Sequence, residues 1–373
     1  MKTNKVKREP LFHVVKRDAI PASKAMLIRL IAIVSALILC ALLSILLIKA
    51  NPIKFLATMF EGSFSSPRRL WKFAKDTAVL LCISLAVTPA FRMKFWNIGA
   101  EGQTLIGALA AAGVAFYLGK STPPALLLVL MFVFAILAGA LWGGIPAVFK
   151  AKWNTNETLF TLMMNYVASG LVAYFLLLWT PSGSSVLGEL KFGHLPKIGH
   201  EYLLLILVVL IVTFVFHIYL RYTKQGYEIS VVGESENTAR YIGISVPKVI
   251  IRTMIISGAI CGLAGFLIVG ALDHSVSTTT VGGLGFTAIM VSWLAKFNPL
   301  VMIGSSAFIT FLKQGASQIS TNMNTDSSFP DMVVGIVLFF IIGCEFFISY
   351  RLKFRQSNPK QLTKAIETKG DES

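Results

Sequence analysis

The sequence predicts an all-α, polytopic membrane protein with about ten spanning helices, and two observations carry that expectation. Of its 373 residues, 55% are hydrophobic and only 14% charged, with a mean hydropathy of +0.71, whereas a soluble globular domain carries about 25% charged residues. The apolar residues also fall in repeated charge-free runs of roughly 18–25, the length that crosses a ~30 Å hydrocarbon core. The formal net charge of +16 does not point to nucleic acid. Lys and Arg concentrate in tails and short loops, where they fit the positive-inside rule.

Taken in order, Met1–Lys24 carries Lys2, Lys5, Lys7, Arg8, Lys16, Arg17 and Lys24 against Glu9 and Asp18, so residues 1–25 read as a cytoplasmic tail. It is too long and polar for a signal peptide, which makes the first apolar run, about Met26–Ile48, a retained span. Asn51–Asp76 reads as an external loop. Its Lys54, Arg68, Arg69, Lys72 and Lys75 contradict the charge rule, and an interfacial helix near Pro52–Phe60 accounts for part of the conflict. Span two is about Thr77–Phe91, closed on the inside by Arg92 and Lys94. Span three opens at Asn97-Ile98-Gly99-Ala100-Glu101-Gly102-Gln103 and runs to about Leu118. Span four, about Pro124–Val148, presents Gly139-x-x-x-Gly143 as a face for close helix contact. Span five is Glu157–Trp179, and the turn residues of Pro181–Glu201 make an external loop.

Span six is about Tyr202–Leu220. Residues 221–248 then form the longest polar internal segment, in which Ser235 or Asn237 caps a short helix through Ala239–Ile242 and Gly243 ends it. Span seven, Val249–Leu272, carries Gly258-x-x-x-Gly262. A short eighth span, Leu284–Leu294, is entered through Gly282, Gly283 and Gly285, and Lys296, Asn298 and Pro299 turn the chain inside. Span nine is about Val301–Phe311, Gly315–Pro330 a polar external loop, and span ten about Met332–Tyr350. The transmembrane domain is thus 26–350, followed by a basic cytoplasmic tail, 351–373, so both termini lie inside. Gly99-Ala-Glu-Gly-Gln aligns weakly with Gly285-Phe-Thr-Ala-Ile as an internal repeat. Paired glycine-interrupted helix starts of this kind mark substrate paths in transporters.

Neither metal, cofactor nor catalytic chemistry is indicated. Cys40, Cys82, Cys261 and Cys344 sit in or beside apolar runs without a CxxC pairing, and the five histidines are scattered. Gly119-Lys120-Ser121 fails as a phosphate-binding loop because the preceding Gly113 stands one residue too far away. With no nucleophile–base pair and no nucleotide site, the chain reads as a non-enzyme, and any ATPase is a separate polypeptide.

What remains are polar residues where the membrane makes them costly. Glu101 is flanked by Asn97 and Thr104 at i−4 and i+3 on one helix face, with Gln103 beside it. Phe95 and Trp96 precede it, suited either to stack on a planar base or to mark the membrane interface. Glu157, Thr158, Thr161 and Asn165 form a polar stripe on span five. Each group has two readings: it lines a path for cargo, or it ties one helix to another. The expected substrate-path residues are Phe95, Trp96, Asn97, Glu101, Gln103, Thr161 and Asn165, with Gly99, Gly102 and Gly285 leaving backbone accessible.

Asn97-Ile-Gly-Ala-Glu-Gly-Gln103, Thr161-Leu-Met-Met-Asn-Tyr166, Gly226–Ile244 and Gly285–Pro299 resemble the permease subunits of bacterial ABC importers related to the ribose and branched-chain amino-acid permeases. The first motif is most similar to that of the nucleoside (guanosine-type) uptake permeases. The resemblance implies import of purine nucleosides across the bacterial cytoplasmic membrane. It also implies two ABC ATPase subunits, a second permease in a heterodimer, and an extracellular substrate-binding lipoprotein, with membrane lipid around the chain and no nucleic acid. It places the ATPase-coupling helix in 221–248, with Gly233, Glu234, Ala239, Arg240 and Gly243 as its motif residues. The second-half motif usually reads Gly-Phe-Asp-Gly, but Thr287 and Ala288 stand here, so the second half lacks that carboxylate. A ribose-type sugar permease and a proton-coupled carrier using Glu101 stand as alternatives.

Overall fold

The computed structural model describes residues 12–16, 21–48, 51–180, 186–323 and 328–354. Thirteen helices occur among them, and eight are long and apolar enough to cross a membrane. The chain divides into two compact units, Ala57–Pro330 and Met1–Leu56 with Asp331–Ser373.

In the second of these, strand β1 (Phe12–Lys16) pairs antiparallel with β2 (Tyr350–Phe354), Val14 opposite Leu352. These two short strands stand beside a chain that is otherwise helical, as expected. Phe12, Val14, Val15, Tyr350 and Phe354 are of residue types that favour extended backbone, and the pairing sets the two ends of the described chain side by side. The remainder of both tails lies outside the described residues. Helix α1 (Ala22–Ile48) and helix α13 (Phe329–Ser349) are apolar spans. They share one ion pair, Arg29 Nε donating to Glu345 Oε1 at 2.8 Å, which keeps both charges partnered inside apolar surroundings. Helix α2 (Pro52–Phe64) carries the chain from this unit into the other.

The larger unit is built on glycine. It contains α3 (Pro67–Arg92), α4 (Ala100–Leu118), α5 (Pro124–Trp153), α6 (Glu157–Trp179) and α7 (Leu203–Tyr222). The short α8 (Lys224–Glu234) and α9 (Glu236–Tyr241) follow, then α10 (Val246–Ile268), α11 (Leu284–Leu294) and α12 (Pro299–Met323). The two glycine pairs expected to make close contacts meet each other. A Cβ on Gly258 would stand 2.2 Å from the Gly139 carbonyl oxygen, and one on Gly262 2.1 Å from that of Ala135. On its other side α10 meets α4, where a Cβ on Gly265 would lie 2.4 Å from Thr104 O. In a membrane no hydrophobic gain drives helices together, so backbone-to-backbone approach of this kind supplies the dispersion contacts that do.

Two boundaries differ from the sequence expectation, for one physical reason. Helix α3 begins at Pro67, not Thr77, capped by Ser66 Oγ accepting from Arg69 N–H, so most of the supposed basic loop is helix. Helix α12 runs on to Met323, through the supposed loop from Gly315. Both extensions carry polar residues on a single face, Arg69, Lys72, Lys75 and Asp76 on α3 and Lys313, Gln314, Ser317, Gln318 and Thr321 on α12. A hydropathy average ends a span where such a face begins. By the same measure α11, with 11 residues, is too short to span, and α12 is too polar to count.

Elsewhere the boundaries agree closely, α6 and α11 to the residue. At the end of α10 a π-helical turn, Val269–Asp273, leads to a backbone ladder with the 186–202 segment. Leu190 N–H donates to His274 O at 2.7 Å and Leu195 N–H to Gly270 O at 2.8 Å. There burial, then the His194 ring 4.1 Å away, hold the His274 imidazole below its ordinary range.

The glycine seam makes a sharp prediction. Gly258→Leu or Gly262→Leu lowers the unfolding midpoint of the purified protein by the equivalent of at least about 1–3 kcal/mol, the ordinary cost of overpacking. Gly304→Ala, where an added Cβ meets nothing within 4 Å, leaves it unchanged or raises it.

Candidate functional site

Two polar systems share the larger unit, and they do different work. The first is the turn Phe95–Gln103, where the sequence concentrated its candidates. Asn97 is buried and precedes α4, so it does not share a helical face with Glu101 as its spacing suggested. Its Oδ1 accepts from Gly99 N–H at 3.0 Å and from Gln103 Nε2 at 3.2 Å, while its Nδ2 donates to Ser257 Oγ on α10 at 3.3 Å. Thr161 and Asn165 on α6 reach the same turn. Thr161 Oγ1 accepts from Ile98 N–H at 3.2 Å, and Asn165 Nδ2 donates to Ile98 O at 3.0 Å while its Oδ1 accepts from Gly102 N–H at 2.9 Å. A Cβ on Gly102 would stand 2.8 Å from that Asn165 oxygen, so the glycine admits the clasp. Glu157, the head of the α6 stripe, pairs with Lys150 at 2.9 Å. The bonds of the stripe thus run to neighbouring segments of the bundle.

Glu101 joins this turn to α11. Its Oε1 accepts from Gly283 N–H and its Oε2 from Gly285 N–H, both at 2.8 Å. Gly283 is the N-cap of α11, with φ +77° in the left-handed region that favours glycine. The carboxylate thus sits on the positive end of a short helix and satisfies two of its orphan amides. A Cβ on Gly285 would lie 2.4 Å from Glu101 N, which accounts for the motif glycine. Further along α11, Ser292 Oγ and Thr88 Oγ1 of α3 share a hydrogen bond at 2.9 Å.

Phe95 is buried, and Trp96 packs against Trp293 at 5.6 Å and Phe91 at 5.8 Å between ring centroids.

The second system is a cavity of about 510 Å³ between the first turns of α3, the second half of α12, the end of α10 and the Thr280–Thr287 segment. That volume is in the range of small-molecule sites. Its walls carry Arg69, Lys72, Lys75, Asp76, Asp273, Lys313, Gln314, Gln318 and Thr287 over an apolar floor of Val79, Leu80, Ile268 and Ile309. Gln314 Nε2 donates to Asp76 Oδ2 at 2.8 Å, and Lys75 lies 3.6 Å from Asp76 and over the Tyr202 ring at 5.3 Å. None of the seven expected path residues is among those lining it. Glu101 comes nearest, because the amides it holds flank the lining residues Gly282 and Leu284. Sequence reasoning missed this cavity, although Ser66-Pro67 is a helix-start signal and the polar residues at 69, 72, 75 and 76 repeat at helical spacing.

At the opposite end of α3, the polar 221–248 segment folds as two short helices. Ser235, not Asn237, caps α9, accepting from Thr238 N–H at 3.2 Å, and Gly243 follows it at φ +84°. A Cβ on Gly233 would stand 2.1 Å from Arg92 O, which seats α8 against the end of α3. Glu228 pairs with Arg252 of α10 at 2.9 Å, and Ala239 is buried. The outer face of α9 stays open, with an exposed Glu236–Arg240 pair and Tyr241 92% exposed.

The clasp can be tested by stability. Glu101→Gln replaces one acceptor oxygen with an amide that confronts a backbone N–H, and lowers unfolding stability by about 1.5–3 kcal/mol, as for a hydrogen bond to a charged group. Asn165→Ala costs less, about 0.6–2 kcal/mol, the range for an interhelical hydrogen bond in a membrane. Thermal unfolding in detergent reads both.

Comparison with known proteins gives the same architecture a family. The family model described as "Branched-chain amino acid transport system / permease component" matches residues 70–342. The chain is 29% identical to the guanosine ABC transporter permease protein NupP of Bacillus subtilis, over 80% of this chain and 86% of that protein. It is 28% identical to the glucose ABC transporter permease protein TsgB13 of Haloferax volcanii, over 82% and 84%, and 24% identical to the nucleoside ABC transporter permease protein NupB of Lactococcus lactis, over 94% and 99%. A second permease of each bacterium, NupQ and NupC, is also similar to it. Matched by this model over more than half of its length, the chain belongs to the branched-chain amino acid transport system permease family.

Proposed function

We propose that this chain is the membrane permease of an ATP-driven ABC importer that carries purine nucleosides such as guanosine across the bacterial cytoplasmic membrane. The observation that carries the reading is the polar cavity set into an apolar bundle. Amide, hydroxyl and carboxylate groups there suit the ribose hydroxyls and base edges of a nucleoside, and the similarity to guanosine and nucleoside permeases selects the substrate class. With both termini cytoplasmic and α11 and α12 completing about ten membrane-embedded helices, the cavity opens outward, where a substrate-binding lipoprotein delivers cargo.

The remaining partners follow from the same reading. One of the two ATPase subunits seats against the α9 end of this chain, where exposed Arg240, Tyr241 and Ile242 form a small mixed surface. The paired relatives NupP with NupQ and NupB with NupC favour a heterodimer with a sister permease. Asn97, Gln103, Thr161 and Asn165 act on the path by holding its scaffold, and Glu101 by fixing the start of α11 at the cavity wall.

One observation favours sugar as a second reading. Among the described residues none that lines the cavity is aromatic, and one relative is a glucose permease. Proteoliposomes containing all subunits separate the two. Labelled guanosine enters only with ATP, is competed by other nucleosides and is not competed by glucose or ribose. Competition by the free sugar alone assigns a sugar permease, and loss of uptake on adding an uncoupler while ATP persists assigns a proton-coupled carrier. In the same assay Gln318→Leu weakens uptake without moving the unfolding midpoint. Tyr241→Ser lowers ATPase association about tenfold or more, as for an aromatic anchor, and leaves the membrane fold intact.

A further inference from the structure

A second cavity, of about 320 Å³, lies at the end of the bundle opposite the polar cavity. Arg92 at the end of α3, His217 and Arg221 in the last turns of α7, and Lys296, Phe297 and Asn298 in the α11–α12 turn line it. No acidic residue stands among the described residues that line it. Helix α12 begins there at Pro299, with Asn298 Oδ1 accepting from Leu300 N–H at 3.1 Å, so the positive end of a 25-residue helix adds to the field of the side chains. The α11–α12 turn holds Lys296 and Phe297 at φ +50° and +59°, a costly conformation that keeps the lysine at this rim. Arg92 is fixed from behind, its Nη1 donating to Leu220 O at 3.2 Å.

The surface leading to this cavity is apolar. On α7 the exposed Leu210, Phe214 and Ile218 stand at i, i+4 and i+8, and Arg221 continues the same face one turn later, beside the exposed Tyr222. A stripe of hydrocarbon-facing side chains therefore ends at a cluster of cations at the membrane boundary. That order matches an acyl chain followed by its phosphate. Basic pockets between spanning helices are suited to anionic headgroups, and Arg presents the planar fork that phosphate oxygens accept.

We infer that the cavity formed by Arg92, His217, Arg221 and Lys296 binds the phosphate of an anionic phospholipid, whose acyl chain lies along Leu210–Ile218 of α7. A bound lipid of this kind cross-links the ends of α3, α7 and α12 where α8 begins, and so stiffens the seat of the 221–248 segment.

The test uses the full chain in detergent, titrated with phosphatidylglycerol, phosphatidylcholine or inorganic phosphate and read by native mass spectrometry and thermal unfolding. Phosphatidylglycerol binds saturably and raises the unfolding midpoint, whereas phosphatidylcholine and inorganic phosphate do not. The Arg221→Gln, Lys296→Gln double variant binds phosphatidylglycerol about thirtyfold more weakly, the loss expected for two basic contacts at an anionic membrane surface. Arg68→Gln with Lys224→Gln, charges outside the cavity, leaves binding unchanged. Equal binding of both lipids by the unmodified protein overturns the inference whatever the variants do. Saturable binding of inorganic phosphate that displaces the lipid assigns the site to a soluble anion instead. A double variant that keeps the lipid but loses ATPase association makes the cavity a protein-docking site, which also overturns it.

Discussion

The carboxylate of Glu101, shared between the amides of Gly283 and Gly285, is the joint that ties the turn before α4 to the start of α11. Helix α11 has 11 residues, so one of its ends must lie at membrane depth. The first amides of such a helix have no partner within the helix. An acidic side chain from another helix solves this problem while solving its own, since a carboxylate in apolar surroundings needs donors at full strength. The solution demands close approach, and Gly285 permits it because any Cβ would strike the Glu101 backbone. Gly282, Leu284 and Thr287, which wall the polar cavity, are placed by this joint.

Behind the joint stands a scaffold of backbone contacts. Helix α10 touches α5 through Gly258, Gly262 and Gly139 and touches α4 through Gly265. Asn97, Asn165 and Thr161 clip the preceding turn to α10 and α6. These polar residues are satisfied among themselves and with backbone, which leaves the cavity's hydrogen-bonding groups to come from elsewhere. They come from α3 and α12, whose polar faces converge on the cavity. The division leaves one wall fixed by short bonds and another lined by long polar side chains.

Much of this fold was legible in the sequence because its helices obey the bilayer's length rule. The glycine pairs of α5 and α10 announced a contact, and the short glycine-entered α11 announced a discontinuity in the span. The sequence also singled out Glu101 as a polar residue at a helix start where the membrane makes it costly. What it did not disclose was direction. Spacing shows that Thr161 and Asn165 share a face, but not that this face looks at the Ile98 and Gly102 backbone. The basic residues Arg69, Lys72 and Lys75 line a cavity on a helix, which a count of charges along a supposed loop does not register. Lys313 through Thr321 looked like a loop because a wet helix face lowers the hydropathy average as a loop does.

The central claim, that Glu101 pins the start of α11 and so shapes the path, is tested most directly by amide hydrogen exchange at Gly283 and Gly285 in the unmodified protein. First-turn amides of a helix ordinarily exchange fast when water reaches them. The account predicts that these two exchange as slowly as amides in the middle of α11. Exchange at the rate of the neighbouring Thr279–Gly282 loop would show that the carboxylate does not hold them, and would contradict it.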